Sequence, residues 1–584
     1  MIVIPTIRRA HATLSRLRNC KKYIPMKHIC VLAATAQNPE ERLFPQKNTL
    51  VFDPTTRLLN DFDLIGVEAA VRLMESGYAD DVTVFSLNAD RTFIHKALAM
   101  GASRAIIADL PDVALTTGIV VREVLKNFPE IDDTLFICGK LNVNFESSQT
   151  AQRLAQALAC PCIPLAHRIE TTATDDLLVF CEDDEGIPCY RVHTPAVLTT
   201  DLRLAEPRFP SLPAIMKAKR KPIITLESVE SHPDPWDMRT LDLCPTPQNT
   251  RACQWLSIQD AAQLLLNTAG NTSSQYTHTS TAAHPYPDAT SPLLAYLLAP
   301  NERLSGKRLD QLQHLATTWH AQLTFLTSNP MGLPDAQNCD FYVIPLTPHT
   351  TFQPISSHAQ TILQCLASYK LTALMAAHTP LNLRLLAAVA SGAHIPFIPN
   401  LIAQHGNIAR MICAAQLIET LHPVSSPFLA TLYDTSPLSL PTPPADHITA
   451  TPIPQTTLDH FSPADNACAP ESARIILSAG RGAIPVFSLL PPLCDRLHAT
   501  LGASRVVVDA GIIDNAHQIG LTGHTVTPQL YVALGISGAI QHLAGMRNAS
   551  TILAINTDKN APIFDIAHYG VLGRVEDFLA CFNG

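Results

Sequence analysis

The chain has 584 residues, of which 47% are hydrophobic and 16% charged, and its formal net charge is −9 at pH 7. This length indicates two to four domains, and the composition is typical of a globular protein, not a disordered one. The acidic balance gives no sign of nucleic-acid binding, and no apolar run is long enough to span a bilayer. The fifteen cysteines include no C-x-x-C pair, which argues against zinc and iron–sulfur sites and for reduced core thiols.

The first 27 residues contain seven Lys or Arg residues and no acid. This pattern predicts a basic N-terminal extension at 1–27, either a mitochondrial-type transit peptide or a stretch ahead of a start at Met26. The first predicted strand begins directly after Met26, which favours the second interpretation.

Strand-like and helix-like runs alternate from His28 to about residue 160. Strands are predicted at 28–34, 81–87, 102–109 and 134–138, and helices at 64–77, 91–100, 118–127 and 147–159. Such alternation predicts a parallel sheet covered by helices on both faces. Nucleotides bind sheets of this kind at the carboxyl ends of the strands.

Two stretches rich in Pro, Thr or Ser divide the chain and are predicted to be linkers, at 222–292 and 435–472. The first includes a low-complexity region at 267–292. Between the linkers, residues 293–434 show a second α/β pattern, with strands predicted at 322–326 and 341–345. The segment 473–584 returns to α/β character. We therefore predict three folded units, at 28–221, 293–434 and 473–584.

Short glycine-rich turns follow one another in the last unit. They are Ser-Ala-Gly-Arg-Gly at 478–482, Gly-Ala-Ser-Arg at 502–505, Gln-Ile-Gly-Leu-Thr-Gly at 518–523 and Gly-Ile-Ser-Gly-Ala-Ile-Gln-His at 535–542. A glycine turn after a strand leaves backbone N–H groups available to an anion, and an arginine beside it suits a phosphate. Each turn alone is equally compatible with a structural role, but their succession indicates a cofactor site.

This succession resembles the FAD-binding domain of the electron-transfer flavoprotein α subunit. The family pattern G-R-G, G-A-S-R-x-x-V-D-A-G, Q-x-G-x-T-G, L-Y-x-A-x-G-I-S-G-A-I-Q-H-L-A-G-M, A-I-N-x-D and A-P-I-F occurs in this order between Gly480 and Phe564. The resemblance implies an FAD cofactor. The implied binding residues are Arg481, Ser504, Arg505, Gln518, Ile519, Gly520, Leu521, Thr522, Ser537, Gly538, Ala539, Ile540, Gln541, His542 and Asn556.

The resemblance also implies roles within this set. Arg481 and the turn 537–542 would hold the FAD chain and its phosphates, and Thr522 would hydrogen-bond the N5 edge of the flavin. Arg505 and His542 would lie beside the isoalloxazine, where a charged guanidinium and an imidazole would supply a positive field to the reduced cofactor. The alternative for His542 is a histidine satisfied within its own helix.

Four positions depart from the usual family residue. Leu521 stands where Gln is usual, His524 where Lys is usual and His568 where Asp is usual, and Arg574 lies near a usual Asp. A lost polar partner at Leu521 should weaken a hydrogen bond to the cofactor by about 1 kcal/mol. These departures bear on affinity and reduction potential more than on FAD binding itself.

Residues 28–221 resemble the β subunit of the same flavoprotein. The matching stretches are 67–73, 96–104, 138–140, 148–150 and 195–221. Residues 293–434 resemble the α subunit's N-terminal domain in element order and in the opening L-L-A-Y-L-L-A-P. The resemblance implies a β-then-α fusion of the α/β class. Its first two units would be Rossmann-like and similar to adenine-nucleotide hydrolases, and an FAD-binding α/β domain would follow.

Ordinary β subunits bury a structural AMP. The corresponding residues here are Asn60, Phe62, Gly139, Lys140, Gln149 and Thr150. The match is imperfect, because Asp61 and Asp63 would repel a phosphate unless they face away, and the residues at 144–146 replace an acid-rich stretch. An empty or differently filled cleft is therefore the alternative to AMP.

The loop 203–221 places Leu212 between Pro210 and Pro213, with a basic cluster that includes Lys217 behind it. An apolar anchor on a stiff loop beside basic residues suits a partner with a small apolar pocket and an acidic rim. The resemblance implies that this loop docks on acyl-CoA dehydrogenases. The alternative is an internal interface with the α half.

Taken together, the resemblance implies an electron carrier that does not itself turn over a substrate or bind a metal. It would pass electrons from acyl-CoA-type flavin dehydrogenases to a membrane quinone oxidoreductase in fatty-acid and amino-acid oxidation. The alternatives are an electron-bifurcating relative that uses NADH and two FADs, and a diverged interaction protein without flavin. The expected location is the bacterial cytoplasm or, alternatively, the mitochondrial matrix.

Overall fold

The computed structural model describes residues 27–37, 57–88, 91–108, 110, 115–128, 131–141, 148–172, 176–181, 186–229, 232–245, 253–270, 287–298, 304, 306–328, 342–346, 354–404, 407–412, 417–422, 424, 426–432, 438–463, 470 and 473–582. Apart from Lys27, the basic extension predicted at 1–27 lies outside these residues. The stretch 144–146 and most of the low-complexity region also lie outside them.

The N-terminal domain alternates strands and helices as predicted, with boundaries shifted by a few residues. Its elements are β1 (His28–Leu32), β2 (Thr35–Gln37), β3 (Arg57–Leu59), α1 (Asp61–Glu75), β4 (Asp81–Ser86), α2 (Arg91–Met100), β5 (Arg104–Ile107), α3 (Thr117–Asn127), β6 (Thr134–Gly139), α4 (Thr150–Leu158), β7 (Cys162–Thr171), β8 (Leu177–Cys181), β9 (Gly186–Val192), β10 (Ala196–Thr200), α5 (Leu212–Ala218) and β11 (Ile223–Thr225).

The main sheet of this domain runs in the order β11-β5-β4-β1-β6-β10-β7-β8-β9. The first seven strands of this order are parallel. Alternate residues of β1 enter opposite cores. Ile29 and Val31 pack with α1 and α2, whereas Cys30 and Leu32 pack with α3 and α4. Helices cover both faces, which explains why every residue of β1 is buried and the four that follow His28 are apolar.

The middle of the chain, from 240 to 447, contributes most of its strands to a second sheet. Its elements in chain order are β12 (Thr240–Pro245), β13 (Gln254–Trp255), α6 (Ile258–Gly270), β14 (Pro292–Leu298), α7 (Gly306–Thr318), β15 (Gln322–Thr327), β16 (Tyr342–Pro345), α8 (Ile355–Leu366), β17 (Lys370–Ala377), α9 (Pro380–Ala393), β18 (Phe397–Gln404), β19 (Asn407–Ile412), β20 (Leu417–Leu421), β21 (Phe428–Leu432) and β22 (Asp446–His447). The sheet order is β12-β20-β19-β18-β21-β17-β14-β15-β16, with β22 paired to β17.

The C-terminal domain holds a third, fully parallel sheet in the order β13-β28-β27-β26-β24-β25. The remaining elements of the chain are β23 (Thr457–Pro463), β24 (Ile475–Ala479), α10 (Leu490–Leu497), β25 (Thr500–Ala503), α11 (Arg505–Asp509), β26 (Leu530–Leu534), α12 (Ile540–Met546), β27 (Thr551–Asn556), β28 (Tyr569–Leu572) and α13 (Val575–Ala580). The predicted α/β class with parallel sheets is confirmed.

Segments that were expected to be linkers contribute edge strands and a helix. β12 pairs antiparallel with β20 of the middle sheet, and β23 pairs antiparallel with β9 of the N-terminal sheet. β13 extends the C-terminal sheet, and α6 packs on the core of the same domain. A composition rich in Pro and Thr did not reveal these strands, because both residues are tolerated at sheet edges. Among the helices that the structure describes, none has the length and hydropathy that crossing a bilayer requires.

The pairing of β9 with β23 depends on a glycine. Gly186 has φ +154°, and a Cβ added there would lie 2.3 Å from the carbonyl oxygen of Ser462. We expect Gly186→Ala to lower the free energy of unfolding by about 1–3 kcal/mol and to expose β23 to proteolysis. Urea unfolding and limited proteolysis measure both effects. The control is Gly270→Ala, whose Cβ would have no atom within 4 Å. Identical unfolding midpoints for the two variants would contradict the assignment of β23 to this sheet.

Candidate cofactor site

The order in which strands are added to the C-terminal sheet reverses at β24. The two strands that follow β24 in the chain, β25 and β26, pair with it on opposite sides. In open parallel sheets, ligands bind in the crevice at the carboxyl ends of the strands where the order reverses. The turns after β24, β25 and β26 all lie at this end, and these are three of the four glycine-rich turns that the sequence singled out.

The turns after β24 and β26 contact each other backbone to backbone. The amide of Gly480 donates to the Leu534 carbonyl at 2.8 Å, and the amide of Gly482 donates to the Gly535 carbonyl at 3.1 Å. A Cβ at Gly480 would lie 2.3 Å from the Gly535 oxygen. Gly535 has φ +65°, and its Cβ would lie 2.6 Å from the Cα of Gly482. Side chains at these positions would push the two turns apart.

The two turns that make this contact carry a cationic side chain and a row of free amides. Arg481 is exposed, and its side chain makes no hydrogen bond or ion pair with any residue that the structure describes. The amides of residues 537–541 likewise have no acceptor in the described part of the chain. The turn is possible because Gly538 adopts φ +90°, where an added Cβ would lie 2.2 Å from the Ile563 nitrogen. A guanidinium and free amides form a suitable cradle for a diphosphate.

The loop 518–523 forms a second wall of the crevice. Its first residues contact the end of β25, because the Ile519 amide donates to the Ala503 carbonyl at 2.9 Å. It then rests on α12, because the Leu521 amide donates to the Gln541 carbonyl at 2.7 Å. Thus Leu521, which departs from the family pattern in its side chain, still holds the loop in place through its backbone.

The hydroxyl of Thr522 is oriented by a neighbour. The Gln518 side-chain amide donates to Thr522 Oγ1 at 2.7 Å. An oxygen that already accepts from this amide keeps its own proton available to an acceptor. The predicted role of Thr522, donation to the flavin N5 edge, is compatible with this orientation.

His542 is buried, and its Nε2 lies 2.9 Å from the Tyr531 hydroxyl. Burial lowers the pKa of His542 to about 4, and the Ile519 backbone only partly opposes this shift. Burial in the protein alone therefore favours the neutral imidazole. The expectation that His542 supplies positive charge to the cofactor stays a prediction, because the charge of a bound cofactor also acts on this pKa. A neutral ring can still offer a hydrogen bond.

Other predicted residues lie at the same carboxyl end of the sheet. Asn556 braces the turn after β26, since its Nδ2 donates to the Ile536 carbonyl at 2.8 Å. Ser504 precedes α11, and its amide donates to the Ala479 carbonyl at 2.9 Å. Arg505 is exposed, and its Nε lies 3.2 Å from an Asp509 oxygen.

The remaining departures from the family pattern support backbone or face solvent. The His524 amide donates to the Gln518 carbonyl at 2.7 Å and closes the loop 518–523. His568 Nδ1 accepts from the Ile552 amide at 2.9 Å. Arg574 is exposed, and its guanidinium lies 3.3 Å from a Glu576 oxygen.

Lys140 of the N-terminal domain reaches this site. Its Nζ donates to the Thr522 carbonyl at 2.7 Å. Burial lowers the pKa of Lys140 to about 8, the nearby Asp201 opposes this shift, and the cations Arg384, Arg203 and Arg505 add to it. Lys140 was expected to bind AMP, but it turns toward the C-terminal domain instead. No sequence signal could identify this contact or Arg384, because the partners are distant along the chain.

The cleft that was expected to hold AMP lies between the N-terminal and middle domains. Asn60, Gly139, Gln149 and Thr150 line it, whereas Phe62 and Lys140 are not among its described lining residues. Gln149 Nε2 donates to the Phe397 carbonyl of the middle domain at 2.8 Å.

Asp63 faces this cleft and does not turn away. Its carboxylate accepts from the amides of Ala34, at 2.8 Å, and Gly139, at 3.0 Å. Burial raises the pKa of Asp63 to about 7, although these hydrogen bonds oppose the shift. A partly ionised acid therefore lines the cleft at neutral pH.

The loop 203–221 projects from the N-terminal domain. Leu212 is 73% exposed and Phe209 is 97% exposed. The alternative that Leu212 lies in an internal interface is therefore wrong. Arg208 fixes one end of the loop, since its guanidinium lies 2.8 Å from Glu68 and 2.6 Å from Glu75.

Lys221 fixes the other end of this loop. Its Nζ donates to the carbonyls of Leu98 at 2.9 Å, Gly101 at 3.2 Å and Ala102 at 2.6 Å, at the end of α2. The apolar residues between Arg208 and Lys221 are thus held out into solvent by charged anchors on both sides.

The buried, neutral His542 should make the stability of the protein depend on pH. Its folded-state pKa of about 4 lies below the ordinary value of 6.5. The unfolded chain therefore binds this proton first, so the contribution is constant above pH 6.5 and is lost as the pH falls toward 4. The expected slope is about 1.4 kcal/mol per pH unit at most.

Urea unfolding at pH 7 and pH 5 tests this dependence. We expect His542→Gln to reduce the loss of stability between the two pH values. The control is His447→Gln, an exposed histidine on β22. If both variants lose the same stability as the unmodified protein, His542 is not the responsible group.

Comparison with known proteins agrees with this geometry. Residues 471–547 match the model of the electron transfer flavoprotein FAD-binding domain, and residues 49–231 match that of the electron transfer flavoprotein domain. The electron transfer flavoprotein subunit alpha of Pseudomonas aeruginosa is 52% identical over 108 residues, and that of Paracoccus denitrificans is 54% identical over 104. Each alignment covers 18% of this chain.

The chain spans about a third of the length of the curated relatives it matches, 35% and 34% for these two. Residues 471–547, which match the FAD-binding domain model, contain the Gly480 and Gly535 turns, Thr522 and His542. The C-terminal domain is therefore similar to the FAD-binding domain of electron transfer flavoproteins, and residues 49–231 are similar to the electron transfer flavoprotein domain.

Proposed function

We propose that this protein is a single-chain electron carrier that holds one FAD in its C-terminal domain. The observation that carries the proposal is the contact between the Gly480 and Gly535 turns, of which the first carries Arg481 and the second is followed by the free amides of 537–541. A nucleotide cofactor with a diphosphate matches this combination of charge and hydrogen-bond donors. When bound, FAD supplies the capacity to take up and release electrons.

The chain's own residues would set the position of the cofactor and the field around it. Arg481 and the amides of 537–541 would bind the diphosphate, and the Thr522 hydroxyl would donate toward the flavin edge. Arg505 and Lys140 would place positive charge at the junction of the N-terminal and C-terminal domains. Such a field favours negative charge on the reduced cofactor and raises its reduction potential. His542 would contribute a hydrogen bond.

The organisation of the chain supports a fusion of β-type and α-type halves. A match to the electron transfer flavoprotein domain precedes a match to the FAD-binding domain, with the middle α/β domain between them. Lys140 of the first half donates to the loop of the second half that carries Thr522. The function of a two-subunit carrier would therefore reside in one chain. We place it in the bacterial cytoplasm, with the mitochondrial matrix as the alternative.

The flavin content of the purified protein tests the proposal. We expect an absorption spectrum with one FAD per chain, and Arg481→Leu should weaken FAD binding roughly 10- to 100-fold, because it removes a charged hydrogen bond of about 1.5–3 kcal/mol. The matched control is Arg496→Leu, an exposed arginine on α10 of the same domain. Two FADs per chain would favour the bifurcating alternative. A protein that stays colourless after reconstitution with FAD would contradict both.

We further propose that the loop 203–221 docks on electron donors of the acyl-CoA dehydrogenase type. Leu212 and Phe209 stand exposed on a short helix and the turn before it, and Lys217 lies on the same helix. The anchors at Arg208 and Lys221 hold this surface in place, so little order is lost on binding. An apolar pocket with an acidic rim would complement it. Electrons would then leave to a membrane quinone oxidoreductase.

Removing the exposed leucine tests the docking surface. We expect Leu212→Ala to slow flavin reduction by an acyl-CoA dehydrogenase and its substrate roughly tenfold at sub-saturating donor, because an interface anchor contributes more than 1 kcal/mol. The FAD content should not change. The control is Leu241→Ala, on an edge strand of the middle sheet, where the leucine is 42% exposed. Equal rates for both variants would show that the loop is not the docking surface.

A further inference from the structure

A short acidic segment, Asp234–Asp237, enters the mouth of the cleft between the N-terminal and middle domains. We call this segment the acidic hook. The side chain of Asp237 is 1% exposed and lies at the N-terminus of α3. Its carboxylate accepts from the Thr116 hydroxyl at 2.7 Å and from the Gly118 amide at 3.2 Å. The hook thus lies at the N-terminus of a helix, where the first amides have no partner within the helix and favour an anion.

A buried arginine of the adjacent helix completes the contact. Arg153 lies in the first turn of α4, and its side chain is 3% exposed. Its guanidinium donates to Asp237 and, at 2.7 Å, to Asp234. Arg122 of α3 also donates to Asp234 at 2.7 Å. Two helices of the N-terminal domain therefore converge on the two carboxylates of the hook.

The aromatic residue of the hook extends the contact to the middle domain. The Arg153 guanidinium lies 3.6 Å from the centre of the Trp236 ring. Trp236 also makes an edge contact with His394, which follows α9, and their ring centres are 5.2 Å apart. The hook consequently joins both domains that form the cleft.

The charges along the cleft are already balanced. The arginines among its described lining residues are Arg153 and Arg410. Arg153 is paired with the hook, and Arg410 Nε lies 2.5 Å from a Glu419 oxygen. Asp63 adds an acid on the same wall. A phosphate that entered here would meet carboxylates at both arginines, and it would have to displace one of them to gain a charged partner.

We propose that the acidic hook is an internal anionic ligand: its carboxylates occupy the anion position formed by α3 and Arg153, so the N-terminal and middle domains assemble without a nucleotide phosphate. The covalent connection places these carboxylates at their site at high effective concentration. This proposal goes beyond electron transfer, and FAD binding in the C-terminal domain does not depend on it. It also replaces the expectation of a bound AMP.

The nucleotide content of the unmodified protein is the first test. Protein purified from cells without added nucleotide is denatured with acid, and the extract is separated by chromatography with AMP and FAD standards. We expect FAD without stoichiometric AMP. One AMP per chain would overturn the proposal, whatever the flavin content.

A variant that empties the anion position is the second test. We expect Asp234→Ala combined with Asp237→Ala to lower the melting temperature. Inorganic phosphate or AMP at millimolar concentration should then raise it again by roughly 3–5 °C, because the vacant site binds the added anion. Neither anion should shift the unmodified protein or the control Asp242→Ala. A double variant that neither anion stabilises would contradict the proposal.

If the double variant does not fold, Asp237→Ala alone provides a milder comparison, because it retains Asp234 and vacates the N-terminus of α3. An anion-dependent shift should then appear in Asp237→Ala and vanish when Arg153→Met is added. A shift that survives the loss of Arg153 would place the added anion elsewhere and overturn the assignment.

Discussion

The cofactor crevice depends on the close approach of two glycine turns. Gly480 and Gly535 meet backbone to backbone, and a single methyl group at either position would lie within 2.6 Å of the opposite main chain. This approach sets the spacing between the ends of β24 and β26. Arg481 and the amides of 537–541 lie on the two turns, so both halves of the diphosphate cradle take their positions from it. The brace at Asn556 and the loop 518–523 then secure the outer sides.

Much of this could be predicted from the sequence, because the signals are local. The apolar runs of the strands gave their positions, and the glycine turns stood out because they follow those strands directly. Residues whose partners are distant could not be predicted. Lys140 was interpreted as a nucleotide ligand, but it bonds Thr522, which is 382 positions away. The strands β12 and β23 were missed because edge strands tolerate the Pro and Thr that suggested linkers.

The charge of a titratable side chain was equally inaccessible from the sequence. His542 lies in the motif where a cation was expected, yet burial lowers its pKa. Asp63 lies where an ordinary carboxylate would be ionised, yet burial raises its pKa. Desolvation depends on the packing of the whole domain, and a motif does not encode it. A motif can therefore predict where a side chain lies without predicting its charge.

The two junctions made by the N-terminal domain differ in electrostatics. Toward the C-terminal domain, Lys140 lies with Arg203, Arg384 and Arg505 and one buried acid, Asp201. This junction carries excess positive charge, which suits a cofactor that gains electrons. Toward the middle domain, each of the two arginines among the described lining residues of the cleft is matched by an acid of the chain itself. The positive charge of the first junction would attract an external anion. At the second junction, the acidic hook proposed above takes the place of one.

β13 and α6 belong to the C-terminal domain, although they precede most of the middle domain in the chain. This arrangement has a mechanical consequence. The chain passes between the C-terminal domain and the rest of the protein three times: after β12, after α6 and after β23. Three tethers restrict rotation far more than one would, because each removes some of the paths along which the domain could turn. They also return it to the same neighbours after each displacement. A contact as small as that of Lys140 with Thr522 can therefore open and reform without either domain losing its partner.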